Sequence, residues 1–100
     1  MPELKLVLTT HAEERCRERR IGMDVLQALL VAPTAGGPAK GRFPNTRWAS
    51  GAGPVGTRRS WVTMIYRVEG QCAWVITAYI GPATFRQTER EIRSAGEAQT

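Results

Sequence analysis

The sequence is short of several residue types that small domains use for stabilisation or for chemistry. It contains one histidine, two cysteines and two lysines in 100 residues. With a single histidine and with Cys16 and Cys72 far apart, no structural zinc site has suitable ligand spacing, so we expect no metal. One disulfide is conceivable, although isolated cysteines in such a domain are more often buried thiols. No glycine-rich phosphate loop of known spacing is present, so we expect no cofactor.

Long hydrophobic runs are also missing. No segment approaches the ~20 apolar residues of a membrane-spanning helix. The apolar run within residues 1–8 is interrupted by Lys5 and is too short for a secretory signal. We therefore expect no membrane partner and a cytoplasmic location. A hydrophobic content of 42% over 100 residues suits one globular domain spanning residues 1–100.

Basic side chains are in excess, and nearly all of them are arginine. Twelve arginines and two lysines face nine acidic residues, which gives a net charge of +5. Guanidinium groups bind phosphates bidentately and stack on bases. The surplus therefore favours a polyanionic partner, with nucleic acid first and an acidic protein second. An arginine-rich proteome from a GC-rich genome would produce the same bias.

Residues 1–31 predict a strand followed by two helices. Residues 4–9 are typical of a short strand. Thr10 and Glu13 fit a capping box that opens a very polar helix. A second helix follows and ends before Pro33. Its apolar stripe at helical spacing consists of Val25, Leu26, Leu29 and Leu30.

Residues 32–57 are rich in proline and glycine and predict a long loop. Cations alternate with aromatic residues within it, namely Lys40, Arg42, Phe43, Arg47 and Trp48. This pattern suits single-stranded nucleic acid, because bases stack on rings while cations neutralise phosphates. Arg47 and Trp48 are therefore candidate substrate-binding residues. An irregular loop with one short strand near Trp48 is the competing interpretation.

Residues 58–81 predict a β-hairpin, since residues 59–68 and 72–80 are β-branched and aromatic throughout. A three-residue loop, Glu69-Gly70-Gln71, would pair Val68 with Cys72. This register predicts an apolar face towards the helices, formed by Val62, Met64, Tyr66, Val68, Cys72, Trp74, Ile76, Ala78 and Ile80. The opposite, half-open face carries Trp61, Thr63, Ile65, Arg67, Ala73, Val75, Thr77 and Tyr79. Of these, Trp61 and Arg67 are candidate substrate contacts.

Residues 82–100 predict a C-terminal helix or tail. The helix would run from Thr84 to about Ala95 and would carry Arg86, Arg90 and Arg93 on one side. Strands next to segregated helices indicate an α+β domain, with the N-terminal helices packed on a small antiparallel sheet.

His11, Arg15 and Arg19 recur at four-residue intervals and share one face of the first predicted helix. Histidine can move protons near neutral pH. Arginine can hold a phosphate and stabilise the extra charge of its transition state. The helix N-terminus lowers the pKa of His11 and favours its neutral form. A solvated helix face would show the same spacing.

A family resemblance rests on residues 8–21, LTTHAEERCRERRI, and on the strand WVITAY at 74–79. Both are similar to the small bacterial domains called domain of unknown function 4258, with the pattern T-x-H-A-x-x-R-x-x-x-R-x-I. That group is allied with the ribonuclease fold of barnase, EndoU, colicin nucleases and RelE-type toxins. The resemblance covers about residues 5–31 and 59–80. Two departures are Arg20, where glycine is usual, and the long 32–57 segment.

The resemblance implies a RelE/barnase-like ribonuclease toxin fold with an active surface formed by His11, Arg15 and Arg19, lined by Thr77 and Tyr79. It implies a metal-independent endoribonuclease that cleaves RNA by 2′-hydroxyl attack. A cognate acidic antitoxin or immunity protein would neutralise it, and it would act in the cytoplasm of its own cell or of a target cell. No acid–base partner of His11 is evident. The alternative is a non-catalytic module on the same fold that binds nucleic acid or protein.

Overall fold

The computed structural model describes residues 4–39 and 45–99 and contains five strands and three helices. The predictions made for Lys40, Arg42 and Phe43 lie outside the described residues. In chain order the elements are β1 (Lys5–Leu8), α1 (Thr10–Arg19), α2 (Met23–Val31), β2 (Ala35–Pro38), β3 (Thr46–Val55), β4 (Arg58–Glu69), β5 (Cys72–Ile80) and α3 (Phe85–Gln99).

The five strands form one sheet in the order β1-β5-β4-β3-β2. The α+β class is confirmed, but the sheet is mixed, so the prediction of a purely antiparallel sheet is wrong. β1 runs parallel to β5, with Lys5 opposite Cys72 and Leu8 opposite Val75. The other pairings are antiparallel. The first strand therefore lies beside the last one, a long-range pairing that no local sequence pattern announces.

The helices cover both faces of the sheet. α1 and α2 pack on one face, where Cys16, Leu26 and Leu29 meet Met64 and other buried residues of the main core. α3 lies on the opposite face, where Ile92 packs against a smaller cluster of Ile65, Ile76 and Tyr79. Burying an apolar side chain of this size contributes about 1.5–3 kcal/mol, so both helix layers are held mainly by apolar contacts.

α1 begins one residue earlier than the capping box predicts. Thr9 is the N-cap, and its hydroxyl accepts a hydrogen bond from the Ala12 amide at 3.1 Å. At the other end Arg20 adopts a left-handed conformation with φ 57°, and the Ile21 amide donates to the Cys16 carbonyl. This is the pattern of a Schellman motif, which turns the chain sharply into α2.

The segment 32–57 is not predominantly a loop, because it contains β2 and the ten-residue strand β3. Glycine lowered the strand propensity of β3, yet Gly53 is buried beneath α2. A Cβ at Gly53 would lie 3.0 Å from Cγ1 of Val25. The glycine therefore permits the close approach of helix and strand, and packing outweighs its low strand propensity.

The hairpin between β4 and β5 has a two-residue loop, so the predicted three-residue loop is wrong. Glu69 pairs with Cys72, and Val68 pairs with Ala73. The register then shifts at a β-bulge, since Ile65 lies opposite Thr77 while Tyr66 lies opposite Val75. A bulge inserts one residue into one strand and reverses which face the following side chains occupy.

The bulge explains which predicted face assignments are confirmed. On β4, Val62, Met64 and Tyr66 belong to the main core as expected. On β5, however, Ala73 and Val75 join that core, whereas Ile76 packs on the side of α3. Thr77 and Tyr79 do share the second face, but α3 covers this face, and neither side chain is exposed.

The predicted C-terminal helix is confirmed as α3, which places Arg86, Arg90 and Arg93 at exposed positions. The hydroxyl of Thr84 accepts a hydrogen bond from the Gln87 amide in its first turn. Both cysteines are free thiols, with Cys16 buried. Within the described ranges, no helix is long and apolar enough to cross a membrane.

Candidate active site

The first turn of α1 is bonded to the middle of β5, and this places His11. The Thr9 amide donates to the Val75 carbonyl at 3.1 Å, and the Thr9 hydroxyl donates to the Ile76 carbonyl at 3.4 Å. Because Thr9 is also the N-cap, the strand determines where the helix starts. His11 follows in the first turn and is only 5% exposed.

The C-terminal half of β5 has an uncovered edge, because β1 pairs only as far as Val75. Arg19 lies two turns along α1 from His11 and binds this edge. Its Nη1 donates to the carbonyl of Ala78 at 2.7 Å. Arg19 therefore fastens α1 to the strand, a role that its position on the helix face did not suggest.

The same Nη1 atom of Arg19 forms an ion pair with Glu91 of α3 at 2.9 Å. The Glu91 side chain is 6% exposed and that of Arg19 is 28% exposed. A guanidinium has five N–H donors, so Nη2 and Nε can still bind a ligand. Glu91 thus joins α3 to α1 beside His11.

Glu91 is the functional candidate that sequence reasoning missed. The sequence pattern of this helix draws attention to its arginine side, whereas Glu91 lies on the stripe of Thr88 and Ile92 that faces the protein. A carboxylate on the inward stripe of an amphipathic helix predicts a buried ion pair, because buried charges are nearly always paired. Only the fold shows that its partner is Arg19.

The pKa of His11 is lowered from its usual value of 6.5. Burial is the largest cause, because the charged imidazolium loses hydration, and the Arg15 guanidinium adds to the effect. Glu91 acts in the opposite direction, and Arg19 lowers the pKa further. His11 is consequently neutral at physiological pH, the protonation state that a general base requires.

The Nε2 atom of His11 is buried and has no hydrogen-bond partner among the described residues. An unpaired buried polar atom costs about 1–3 kcal/mol of folding free energy. Such atoms call for a functional or structural explanation. A neutral imidazole with a free nitrogen, beside two arginines and a carboxylate, can accept a proton from a bound hydroxyl.

Arg15 is the more accessible of the two predicted arginines. Its Nη1 contacts Glu18 at 2.8 Å, and its side chain is 32% exposed. Surface ion pairs of this kind contribute about 0–1 kcal/mol, so a phosphate can compete for the guanidinium. Arg15, Arg19 and Glu91 are therefore three of the four charged groups that act on the His11 imidazole, and Glu14, which raises its pKa, is the fourth.

Thr77 and Tyr79 lie on the neighbouring stretch of β5, beneath α3. The Tyr79 hydroxyl is hydrogen-bonded to the Thr88 hydroxyl at 3.1 Å. Thr77 is fully buried, and its Oγ1 has no partner among the described residues. Neither side chain lines an open surface, so substrate could contact them only after a displacement of α3.

The remaining predicted contacts are spread over β3 and β4. Trp48 borders a cavity of about 370 Å³ between the sheet and the start of α3. Arg67 contacts Glu69 at 3.5 Å and lies 5.8 Å from the centre of the Trp74 ring. Trp61 is partly buried, and Arg47 is exposed. The structure does not gather these four side chains around His11.

No group of three or more His, Cys, Asp and Glu side chains in the described part of the chain is arranged to hold a metal ion. Comparison of the chain with protein-family models, with curated proteins and with solved structures finds no match in any of the three.

Proposed function

We propose that this protein is a metal-independent endoribonuclease of the toxin type, with the RelE/barnase-like fold that its sequence motif suggests. The observation that carries the proposal is the buried, unpartnered Nε2 of a neutral His11, flanked by Arg15, Arg19 and Glu91. Histidine, arginine and carboxylate together supply a base, a phosphate ligand and a group that stabilises the protonated base.

In this mechanism His11 takes the proton of an RNA 2′-hydroxyl, whose oxygen attacks the adjacent phosphorus. The bond from phosphorus to the 5′-oxygen breaks, that oxygen takes a proton from water, and the resulting hydroxide takes the proton held by His11, which returns to its neutral form. The products are a 2′,3′-cyclic phosphate and a 5′-hydroxyl end. Arg15 and the free nitrogens of Arg19 bind the phosphate, and Glu91 stabilises the imidazolium. Trp48 stacks a base at its own cavity, away from the scissile phosphate.

The burial of His11 sets a condition on this reaction. At 5% exposure, the imidazole cannot meet a phosphodiester unless the groups that cover it move aside. Such movements of covering elements are common in enzyme cycles. A basic surface of this kind also suits an acidic neutralising protein, which would act as the antitoxin or immunity partner.

The first test is incubation of the purified chain with total RNA in excess chelator. We expect cleavage by the wild type and none by His11→Gln, which keeps a polar side chain in the buried position. His11→Ala is less suitable, because truncating a buried residue leaves a cavity and lowers stability. Circular dichroism on both proteins verifies that they are folded.

A matched pair of variants on α1 tests the phosphate role. Arg15→Gln is expected to lower kcat/KM, whereas Arg17→Gln, with a 75% exposed side chain paired only to Glu13, is not. Equal activity of wild type and His11→Gln would contradict the catalytic role of His11. Equal losses of kcat/KM in the two arginine variants would show that Arg15 contributes only through its positive charge and not as a specific phosphate ligand.

A non-catalytic module that binds nucleic acid or protein is the second candidate. The burial of His11 and the engagement of Arg19 with Ala78 and Glu91 favour it, because both can be purely structural. If the folded protein, free of any partner, binds RNA but leaves it intact, the non-catalytic binding module is supported.

A further inference from the structure

Three arginines lie on adjacent segments at the end of the molecule where α1 passes into α2. Arg20 ends α1, and Arg58 and Arg59 begin β4 after the turn from β3. The two segments are bonded to each other, since the Gly56 amide donates to the Arg20 carbonyl at 3.3 Å and Ile21 pairs with Val55. We call Arg20, Arg58 and Arg59 the turn cluster.

The side chain of Arg20 lies across this turn. A Cβ at Gly56 would be 3.2 Å from Cδ and 3.6 Å from Nη1 of Arg20. Gly56 itself has φ 62°, a conformation that favours glycine. The absence of a Cβ there also leaves room for the Arg20 side chain. The guanidinium of Arg20 is thus directed towards the strand on which Arg58 and Arg59 follow.

Of the eight other described arginines, five are ion-paired, whereas Arg47, Arg86 and Arg90 are not. Arg15, Arg17, Arg19, Arg67 and Arg93 each contact a carboxylate. Arg20, Arg58 and Arg59 are exposed and form no ion pair with any described residue. Asp24 shares a cleft of about 280 Å³ with Arg59 but is not paired with it. Arg58 and Arg59 follow one another on a strand, so the three charges extend over both faces of this end of the sheet without neutralisation by a described carboxylate.

The backbone at Arg20 supplies a second observation. Its φ of 57° is left-handed, a conformation that favours glycine at the end of a helix. An arginine at this position puts strain into the backbone. Strained residues that persist are a reason to look for a function. Here the residue in the strained conformation, Arg20, supplies the third guanidinium at the turn.

We infer that the turn cluster is a binding site for the phosphate backbone of RNA, remote from the cleavage site. This inference rests on the proposed function for the identity of the ligand. His11 and Arg20 are nine residues apart on α1, which is about 14 Å along the helix axis. The cluster therefore contacts phosphates a few nucleotides away from the scissile one and carries no base specificity.

Binding is measured by fluorescence anisotropy with a labelled single-stranded RNA of about 16 nucleotides. The parent protein is the full chain with His11→Gln, which keeps the probe intact. The variants on this background are Arg20→Gly, the pair Arg58→Gln with Arg59→Gln, and all three together. Arg90→Gln is the matched control, because it removes one exposed arginine from α3 on the other face of the sheet.

We expect Arg20→Gly to raise Kd while the melting temperature stays the same or rises, since glycine suits φ 57°. The slope of log K against log salt concentration should fall by about 0.7 for each lost phosphate contact. The triple variant should therefore lose about 2 units of slope. Arg90→Gln should leave Kd and slope close to those of the parent.

An unchanged slope in the triple variant would overturn the inference, whether or not the wild type cleaves RNA. So would a parent protein that does not bind RNA at low salt, which would point to an acidic protein as the ligand of the cluster. A smaller slope in the variants, together with RNA that stays intact after incubation with the wild type, would support phosphate binding by the turn cluster. The same result would contradict the proposed ribonuclease activity.

Discussion

His11 is the residue whose chemistry depends most on its surroundings. In an exposed helix it would titrate near 6.5, but burial and Arg15 lower its pKa. Burial also leaves its Nε2 without a described partner. The same desolvation that favours the neutral imidazole, as the proposed base requires, therefore costs stability and limits access to Nε2.

The lowered pKa of His11 predicts how stability depends on pH. As pH falls below 6.5, the unfolded chain binds a proton at His11 before the folded chain does. The free energy of unfolding of the wild type should then decrease with falling pH, relative to that of His11→Gln, which does not titrate. Urea unfolding of both proteins between pH 7 and about pH 5 measures the difference.

The chain has one histidine, so its imidazole resonances in a proton NMR titration are unambiguous. A native pKa at or above 6.5 would contradict the environment described here. The carboxylates titrate in both proteins, and their contribution cancels in the comparison.

At the scale of elements, α3 is attached to α1 and to the sheet by few side chains. Glu91 pairs with Arg19 of α1, Thr88 is hydrogen-bonded to Tyr79 of β5, and Ile92 packs against the smaller apolar cluster on the sheet. Because α3 covers Thr77 and Tyr79, these contacts control access to β5 as well as stability.

Replacing Glu91 by Gln should destabilise the protein by about 1–3 kcal/mol, because Arg19 would lose the partner of its buried side. The control is Glu89→Gln, which removes a carboxylate that is 52% exposed and 3.9 Å from Arg93. That change should stay within about 0.5 kcal/mol. Urea unfolding gives both values, and equal effects would show that the ion pair with Arg19 has no special weight.

The contact between α2 and β3 predicts a second effect at this scale. Gly53→Val would place methyl groups against Val25, whose Cγ1 would already lie 3.0 Å from a Cβ at residue 53. We expect a loss of about 1–3 kcal/mol from overpacking. Ala52→Val is the control, since Ala52 is exposed on the same strand. An equal change of the melting temperature in Gly53→Val and Ala52→Val would contradict close packing at Gly53.

At the scale of the whole molecule, charge is distributed unevenly. Five described arginines pair with carboxylates, whereas the turn cluster and Arg47, Arg86 and Arg90 do not. A net charge of +5 alone indicates only a preference for polyanions. In the proposed interaction, the turn cluster is the surface at which this general preference acts on the phosphates of RNA.

Local patterns were sufficient to predict much of the architecture. The polar and apolar helices, the β-branched hairpin strands and the amphipathic C-terminal helix each have a periodicity contained in one segment. The alignment of His11, Arg15 and Arg19 on one helix face follows from the same periodicity. All of these features need only neighbours within a few turns of the chain.

Contacts between distant segments decided the rest. Gly53 is compatible with a strand because α2 fills the space above it, and β1 is parallel because it pairs with β5. The bulge in β5 sends Ile76 towards α3, and Glu91 meets Arg19 only after both helices have packed on the sheet. The sequence by itself determined the α+β class and the histidine–arginine helix. Tertiary packing alone decided the burial of His11 and its carboxylate neighbour, because burial and ion pairing depend on residues far apart in the chain.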